Sequence, residues 1–71
     1  MVLYPNPVKN TLYIETNASQ FKIQVYSQLG QLLYEAKDQR SIDFSPYNAG
    51  IYFVKVTDGE RNVVSKKIVK M

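Results

Sequence analysis

The chain has 71 residues, enough for one small domain, and its nine basic and six acidic residues give a net charge of +3. It contains no cysteine and no histidine, which excludes disulfides, thiolate metal sites, a histidine base and a Ser-His-Asp triad. A domain of this size buries only about 60% of the surface of its unfolded chain, so its core must be well packed.

The beginning of the chain predicts a short strand followed by a stiff corner. Val2–Tyr4 is apolar, and Pro5-Asn6-Pro7 ends it, because each proline lacks an N–H and restricts the residue before it. Such a corner can lead the chain from one sheet to another, and Val8–Asn10 follows it as a predicted turn. No apolar run reaches the roughly 18 residues of a membrane span, and no signal peptide is expected. We expect a domain cut from a larger protein.

Three alternating segments follow, separated by turn residues. They are Thr11–Thr16, with Leu12 and Ile14 inward; Phe21–Tyr26, with Phe21, Ile23 and Val25 inward; and Gln31–Ala36, with Leu32, Tyr34 and Ala36 on one face. The turn before the third segment ends at Gly30, which is predicted to adopt a backbone conformation that other residues avoid.

The second half of the chain is organised around Gly50–Thr57, its longest run of strand-forming side chains. Both faces of this run are largely apolar, which predicts a central strand. A short strand at Ser41–Phe44 precedes it, between a charged loop and a turn-rich loop. Asp58-Gly59 then indicates a hairpin, so Asn62–Lys70 is predicted to return antiparallel to the central strand.

The recurrence of short alternating strands predicts an all-β fold. Turns separate the segments at intervals of about 8–12 residues, and no helical periodicity of useful length is present. Seven strand candidates favour an immunoglobulin-like antiparallel β-sandwich over a five-stranded barrel of the oligonucleotide-binding type. The whole of residues 1–71 is therefore predicted to form one domain.

Two groupings that could indicate ligand sites are not favoured. Asp58 and Glu60 flank Gly59, but a lone acidic hairpin turn is nearly always solvated surface and not a calcium site. A nucleic-acid platform would need aromatic side chains beside clustered basic ones, and the candidates are scattered: Tyr13, Tyr26, Tyr47, Lys22 and Arg40. We expect no nucleic-acid partner, no cofactor, no metal and no catalysis, since no spacing pairs a nucleophile with a base.

Four features in order along the chain resemble a known family. They are Tyr4–Pro7, Val25–Gln31, Ala49–Val56 and Lys66–Lys70. Together they resemble the type A C-terminal sorting domain of the type IX (Por) secretion system, and the resemblance covers essentially the whole chain.

The resemblance implies a folded secretion signal with no enzymatic activity. It implies an upstream cargo that crosses the inner membrane to the periplasm, recognition by an outer-membrane translocon, removal by a sortase-like cysteine peptidase and attachment at the cell surface. The candidate recognition residues are Lys66, Lys67, Ile68, Val69 and Lys70, and the motif residues expected to be mainly structural are Pro5, Asn6, Pro7, Gly30, Gly50 and Tyr52.

Two alternatives stay open from the residues themselves. The lysines of the last strand also suit an edge strand that is protected against pairing with other sheets, and this is compatible with recognition by strand addition. A small adhesive or carbohydrate-binding β-sandwich module of a multidomain surface protein is the alternative function, and it should show exposed aromatic side chains aligned on one face.

Overall fold

The computed structural model describes residues 1–71 as seven β-strands joined by turns, with no helix. The strands are β1 (Val2–Tyr4), β2 (Thr11–Glu15), β3 (Phe21–Ser27), β4 (Leu32–Lys37), β5 (Ser41–Asp43), β6 (Gly50–Asp58) and β7 (Val63–Lys70). One sheet has the order β1-β2-β5 and the other has the order β4-β3-β6-β7, with every pair of neighbouring strands antiparallel. The predicted immunoglobulin-like sandwich of seven short strands is confirmed.

β6 is the central strand of the larger sheet, as its sequence predicts. It pairs with β3 on one side along seven of its nine residues and with β7 on the other along eight. Tyr52, Val54 and Val56 on its inner face are buried, whereas Phe53 on its outer face is exposed. One apolar face of β6 therefore faces the core, and the other lies on the molecular surface.

The core lies between the two sheets and contains no buried polar side chain. Its members are Val8, Leu12, Ile14, Phe21, Ile23, Val25, Ile42, Phe44, Tyr52, Val54, Val56 and Ile68. Burial of such side chains contributes about 1.5–3 kcal/mol each. Val8 was predicted to be a turn residue, and this is wrong: its side chain is fully buried and it forms a parallel bridge with Lys70.

β4 differs from its prediction at one residue. Tyr34 and Ala36 lie opposite Val25 and Ile23 and are half-buried on the inner face. Leu32 was predicted to share that face, but the register shifts between Val25 and Tyr26, which leaves Leu32 opposite Tyr26 on the outer face. A bulge of this kind moves all side chains beyond it to the other side of the sheet, and alternation alone does not reveal it.

Two turns show which residues provide unusual backbone conformations. Gly30 has φ of +92°, as predicted, and its N–H donates to the Ser27 carbonyl at 2.9 Å. The hairpin after β6 is also present, but Gly59 is not the residue with positive φ. Arg61 has φ of +66° instead, and the turn spans the residues between Asp58 and Val63.

The Asp58 carboxylate fixes this hairpin through three N–H donors. Its Oδ1 accepts from the backbone N–H of Asn62 at 2.9 Å and of Glu60 at 2.8 Å, and its Oδ2 accepts from the Asn62 side chain at 3.1 Å. These hydrogen bonds, those from Asn62 above all, favour the ionised form and hold the pKa of Asp58 below its ordinary value of 3.8.

The lowered pKa predicts a loss of hairpin stability in acid. A carboxylate whose pKa falls on folding stabilises the native state above its unfolded pKa, and that contribution disappears as the pH falls through the folded pKa. We expect Asp58→Asn to unfold at lower urea concentration than the parent at pH 7, with the difference shrinking towards pH 2. Glu60→Gln controls for the loss of a negative charge in the same turn, and a pH-independent difference for Asp58→Asn would contradict the prediction.

Candidate functional site

The segment Lys66–Lys70, the candidate recognition segment, forms most of β7 at the edge of the four-stranded sheet. Its register with β6 places Lys66 opposite Val54 and Lys67 opposite Phe53. Directly opposed side chains lie on the same face, so Lys66 points to the side of the core and Lys67 to the outer face. Both side chains are nevertheless exposed, because β7 is the last strand of its sheet.

The five side chains of the recognition segment differ in what they offer to a partner. Ile68 is 1% exposed and is part of the core, so a partner that binds the folded domain does not reach its side chain. Val69 and Lys70 are half-buried, and Lys66 and Lys67 are exposed. The accessible chemistry of the segment is therefore three lysine ammonium groups, of which that of Lys70 donates to the Met71 carbonyl at 3.0 Å, and part of one valine.

The proline corner, which we define as Pro5, Asn6 and Pro7, lies against the outer edge of β7. The Asn6 side-chain amide donates through Nδ2 to the Lys67 carbonyl at 3.0 Å, and its Oδ1 accepts from the Val69 N–H at 2.9 Å. Since the two prolines have no N–H, the Asn6 side chain replaces the backbone as the pairing group. One amide thus makes both hydrogen bonds that a peptide group of a neighbouring strand would make.

Val8 extends this pairing to the end of the chain. Its N–H donates to the Val69 carbonyl at 2.8 Å, and its carbonyl accepts from the Met71 N–H at 2.9 Å. The chain leaves the three-stranded sheet at Tyr4 and reaches the edge of the four-stranded sheet at Val8, so the corner joins the two sheets, as the prolines predict. These hydrogen bonds hold the backbone near the beginning of the chain against the backbone near its end.

The other half of the same edge is uncovered. Strand alternation directs the backbone groups of Val63 and Ser65 outward, in the same direction as those of Val69. No strand of the sheet lies beyond β7, and the corner reaches only as far as the Lys67 carbonyl. A partner strand could pair with Val63 and Ser65 directly, but it would have to displace Asn6 and Val8 to pair with residues 67–71.

The remaining motif residues lie in structural positions around this edge. Gly50 begins β6 opposite Lys70, and Tyr52 packs edge-on against Phe44 with ring centroids 5.8 Å apart. The Tyr52 hydroxyl donates to the Asn48 carbonyl at 2.6 Å, which gives a buried tyrosine the partner it needs. Tyr47 stacks on the Tyr52 ring, and partial burial there raises the pKa of Tyr47.

The rest of the surface offers little for small-molecule chemistry. The depression beside Phe21 is lined by eight residues, of which one is hydrophobic, at the Asp58 end of the sandwich. The structure holds no group of three or more side chains that could bind a metal ion, and no helix that could cross a membrane.

Sequence reasoning missed the role of the Asn6 side chain and the burial of Val8. The signal for Asn6 was present, because a single amide between two residues without an N–H is the natural hydrogen-bonding group of that corner. Its partner in β7 is more than 60 residues away along the chain, and nothing in the local pattern identifies it.

Comparison with known proteins identifies the family of the chain. The family model described as the secretion system C-terminal sorting domain matches residues 2–71. An ulvan lyase of Nonlabens ulvanivorans is 33% identical over 72 aligned positions, which cover 94% of this chain and 14% of that protein. The chain thus spans about one-seventh of the length of this curated relative.

The chain belongs to the C-terminal sorting domain family of the type IX secretion system. It is a sorting signal for export to the cell surface or the extracellular space, and the family is one of signals and not of enzymes. The resemblance that the four sequence features indicate is therefore confirmed.

The pairing of Asn6 with β7 predicts a specific loss of stability when its amide is removed. Asn6→Ala breaks two hydrogen bonds at an exposed site, each of which contributes about 0.5–1.5 kcal/mol, so we expect a loss of roughly 1–3 kcal/mol in urea unfolding. Asn10→Ala is the matched control, because only its backbone carbonyl is used, by Phe44. Equal stability of the two variants would contradict the prediction.

Proposed function

We propose that residues 1–71 form a single C-terminal sorting domain that was part of a larger secreted cargo protein. The domain directs the cargo from the periplasm through the type IX translocon of the outer membrane. A sortase-like cysteine peptidase then cleaves the chain upstream of the domain, and the cargo is attached at the cell surface or released. The observation that supports this proposal most strongly is the family match over residues 2–71.

Recognition by the translocon is assigned to the segment Lys66, Lys67, Ile68, Val69 and Lys70. In this proposal Lys66 and Lys67 contact the receptor, because they are the exposed side chains of an edge strand. Ile68 acts by holding the strand in the core, which keeps the two lysines at fixed positions. Strand addition by the receptor would begin at the uncovered backbone of Val63 and Ser65.

The domain has no catalytic role and no cofactor in this proposal. It is a ligand for the translocon, and within its parent protein it is part of a peptidase substrate. The ulvan lyase relative supports the arrangement in which a domain like this one accounts for a small fraction of a larger enzyme.

The alternative function, a carbohydrate-binding module, has less support from the surface. Exposed aromatic side chains do not form one platform but are divided between the outer faces of the two sheets. Tyr4 and Tyr13 lie side by side on the smaller sheet, 5.7 Å apart and tilted by 31°, whereas Phe53 lies on the larger one.

A secretion assay tests the proposal. We expect the whole chain, fused behind a signal peptide and a fluorescent reporter, to be exported in a bacterium that has the type IX system. Deletion of Lys66–Met71 should retain the reporter in the periplasm. Because that deletion also removes Ile68 from the core, the sharper variant is Lys66→Ser combined with Lys67→Ser, which leaves the core intact.

The control for the double variant is Lys9→Ser combined with Arg61→Ser, which removes the same charge outside β7. We expect at least about a tenfold decrease in exported reporter for the β7 variant, as for the loss of roughly 1.4 kcal/mol of recognition. Export of the β7 variant at the level of the control would show that these lysines are not the recognition residues. Failure of the unaltered chain to export any reporter would contradict the proposed function itself.

A further inference from the structure

The outer face of the four-stranded sheet exposes an apolar row across three strands. Leu32 on β4, Tyr26 on β3 and Phe53 on β6 are direct cross-strand neighbours. Leu32 is 47% exposed and Phe53 is 36% exposed, although both are large hydrophobic side chains. Ile51 and Val69 form the next cross-strand pair on the same face, so the row continues onto the recognition strand β7.

The bulge in β4 contributes directly to this row. Without the register shift after Val25, Leu32 would follow Tyr34 and Ala36 onto the inner face. The shift places Leu32 beside Tyr26 on the outer face instead, away from the core. The chain thus exposes a leucine on this face, although strict alternation with Tyr34 and Ala36 would have directed it towards the core.

The net positive charge of the chain is concentrated on the same face. Lys22, Lys37, Lys55 and Lys67 belong to the outward set of the sheet by register, together with a single acidic residue, Glu35. Four lysines and one glutamate account for +3, which is the net charge of the whole chain. The five basic and five acidic residues elsewhere cancel.

Glu35 is the one acidic residue of this face. Its carboxylate accepts a hydrogen bond of 2.7 Å from the Gln24 side chain on the neighbouring strand. No ion pair ties the lysines of the face to acidic groups of the same chain, so their charges are directed to solvent. An apolar centre with basic residues around it is the anatomy of a protein interface whose partner is acidic.

We propose that this outer face binds an acidic surface of a second protein, with the row Leu32, Tyr26 and Phe53 at the centre of the contact. Four strands at their usual spacing and about eight residues of length give the face roughly 500 Å². This is of the same order as the roughly 800 Å² that each partner buries in a stable complex. The inference adds a second contact surface to the proposed function, beside the β7 edge.

A protein fits this face better than a lipid surface does. Insertion into a membrane needs apolar side chains that project beyond their polar neighbours. Phe53 is only about one-third exposed and stands opposite Lys67, so a flat partner can cover it, but little of its ring is free to enter a bilayer. The lysines then pair with carboxylates at the rim and favour association with partners of opposite charge.

Site-specific photocrosslinking tests the inference in the reporter fusion that contains the whole chain. The photoreactive amino acid p-benzoylphenylalanine replaces Phe53 in one fusion and Tyr13, an exposed aromatic on the other sheet, in the control. We expect position 53 to crosslink to a protein at a segment rich in aspartate and glutamate, identified by mass spectrometry, and position 13 not to do so.

Charge reversal on the face tests whether the crosslink at position 53 depends on the lysines around the apolar row. Lys22→Glu combined with Lys55→Glu should lower the crosslink yield at position 53 at least tenfold, whereas Lys9→Glu combined with Arg61→Glu should leave it unchanged. Thermal unfolding of each purified fusion verifies that the domain stays folded. A crosslink to lipid, a crosslink to a second copy of the chain, no crosslink, or a yield that charge reversal does not lower would each overturn the inference.

Reporter export is measured in the same cultures, which separates this inference from the proposed function. Export without a crosslink at position 53 would contradict the second contact surface and would support the sorting function. A crosslink to an acidic protein surface without export supports the second surface and contradicts the sorting function.

Discussion

The hydrogen bonds of the Asn6 side-chain amide to Lys67 and Val69 are the contact on which the arrangement of both chain ends depends. They hold the proline corner against the last strand, and they bring Val8 into position for its own pairing with Val69 and Met71. A strand at the edge of a sheet is otherwise free to fray or to pair with another chain. Here Asn6 and Val8 cover the outer backbone edge of residues 67–71, and only the first half of the β7 edge is uncovered.

The central strand β6 supports this arrangement from the other side. It pairs with β7 along eight residues and with β3 along seven, so the last strand is attached to the most buried part of the sheet. Ile68 joins the same core, whereas Lys66 and Lys67 beside it are exposed. The fold therefore decides which side chains of β7 a partner can contact.

Strand alternation was sufficient to predict the strands, since each strand lies within one residue of its predicted bounds and the predicted inward residues of β2 and β3 are buried. What the sequence could not predict depends on contacts between distant residues. A bulge in β4 places Leu32 on the outer face of the sheet, opposite Tyr26. The parallel bridge to Lys70 accounts for the burial of Val8. At the hairpin, the Asp58 carboxylate stabilises a longer turn than Asp58-Gly59 suggests. The family features marked the two ends of the chain as important, but their physical contact emerged only from the structure.

The corner covers the end of the β7 edge and leaves the beginning of that edge open. Amide hydrogen exchange of the purified chain, followed residue by residue by nuclear magnetic resonance, tests this arrangement most directly. We expect the Val69 and Met71 amides, which donate to Asn6 and Val8, to exchange at least about 100-fold more slowly than the outward amides of Ser65 and Lys67. Equal exchange rates at these four positions would contradict it.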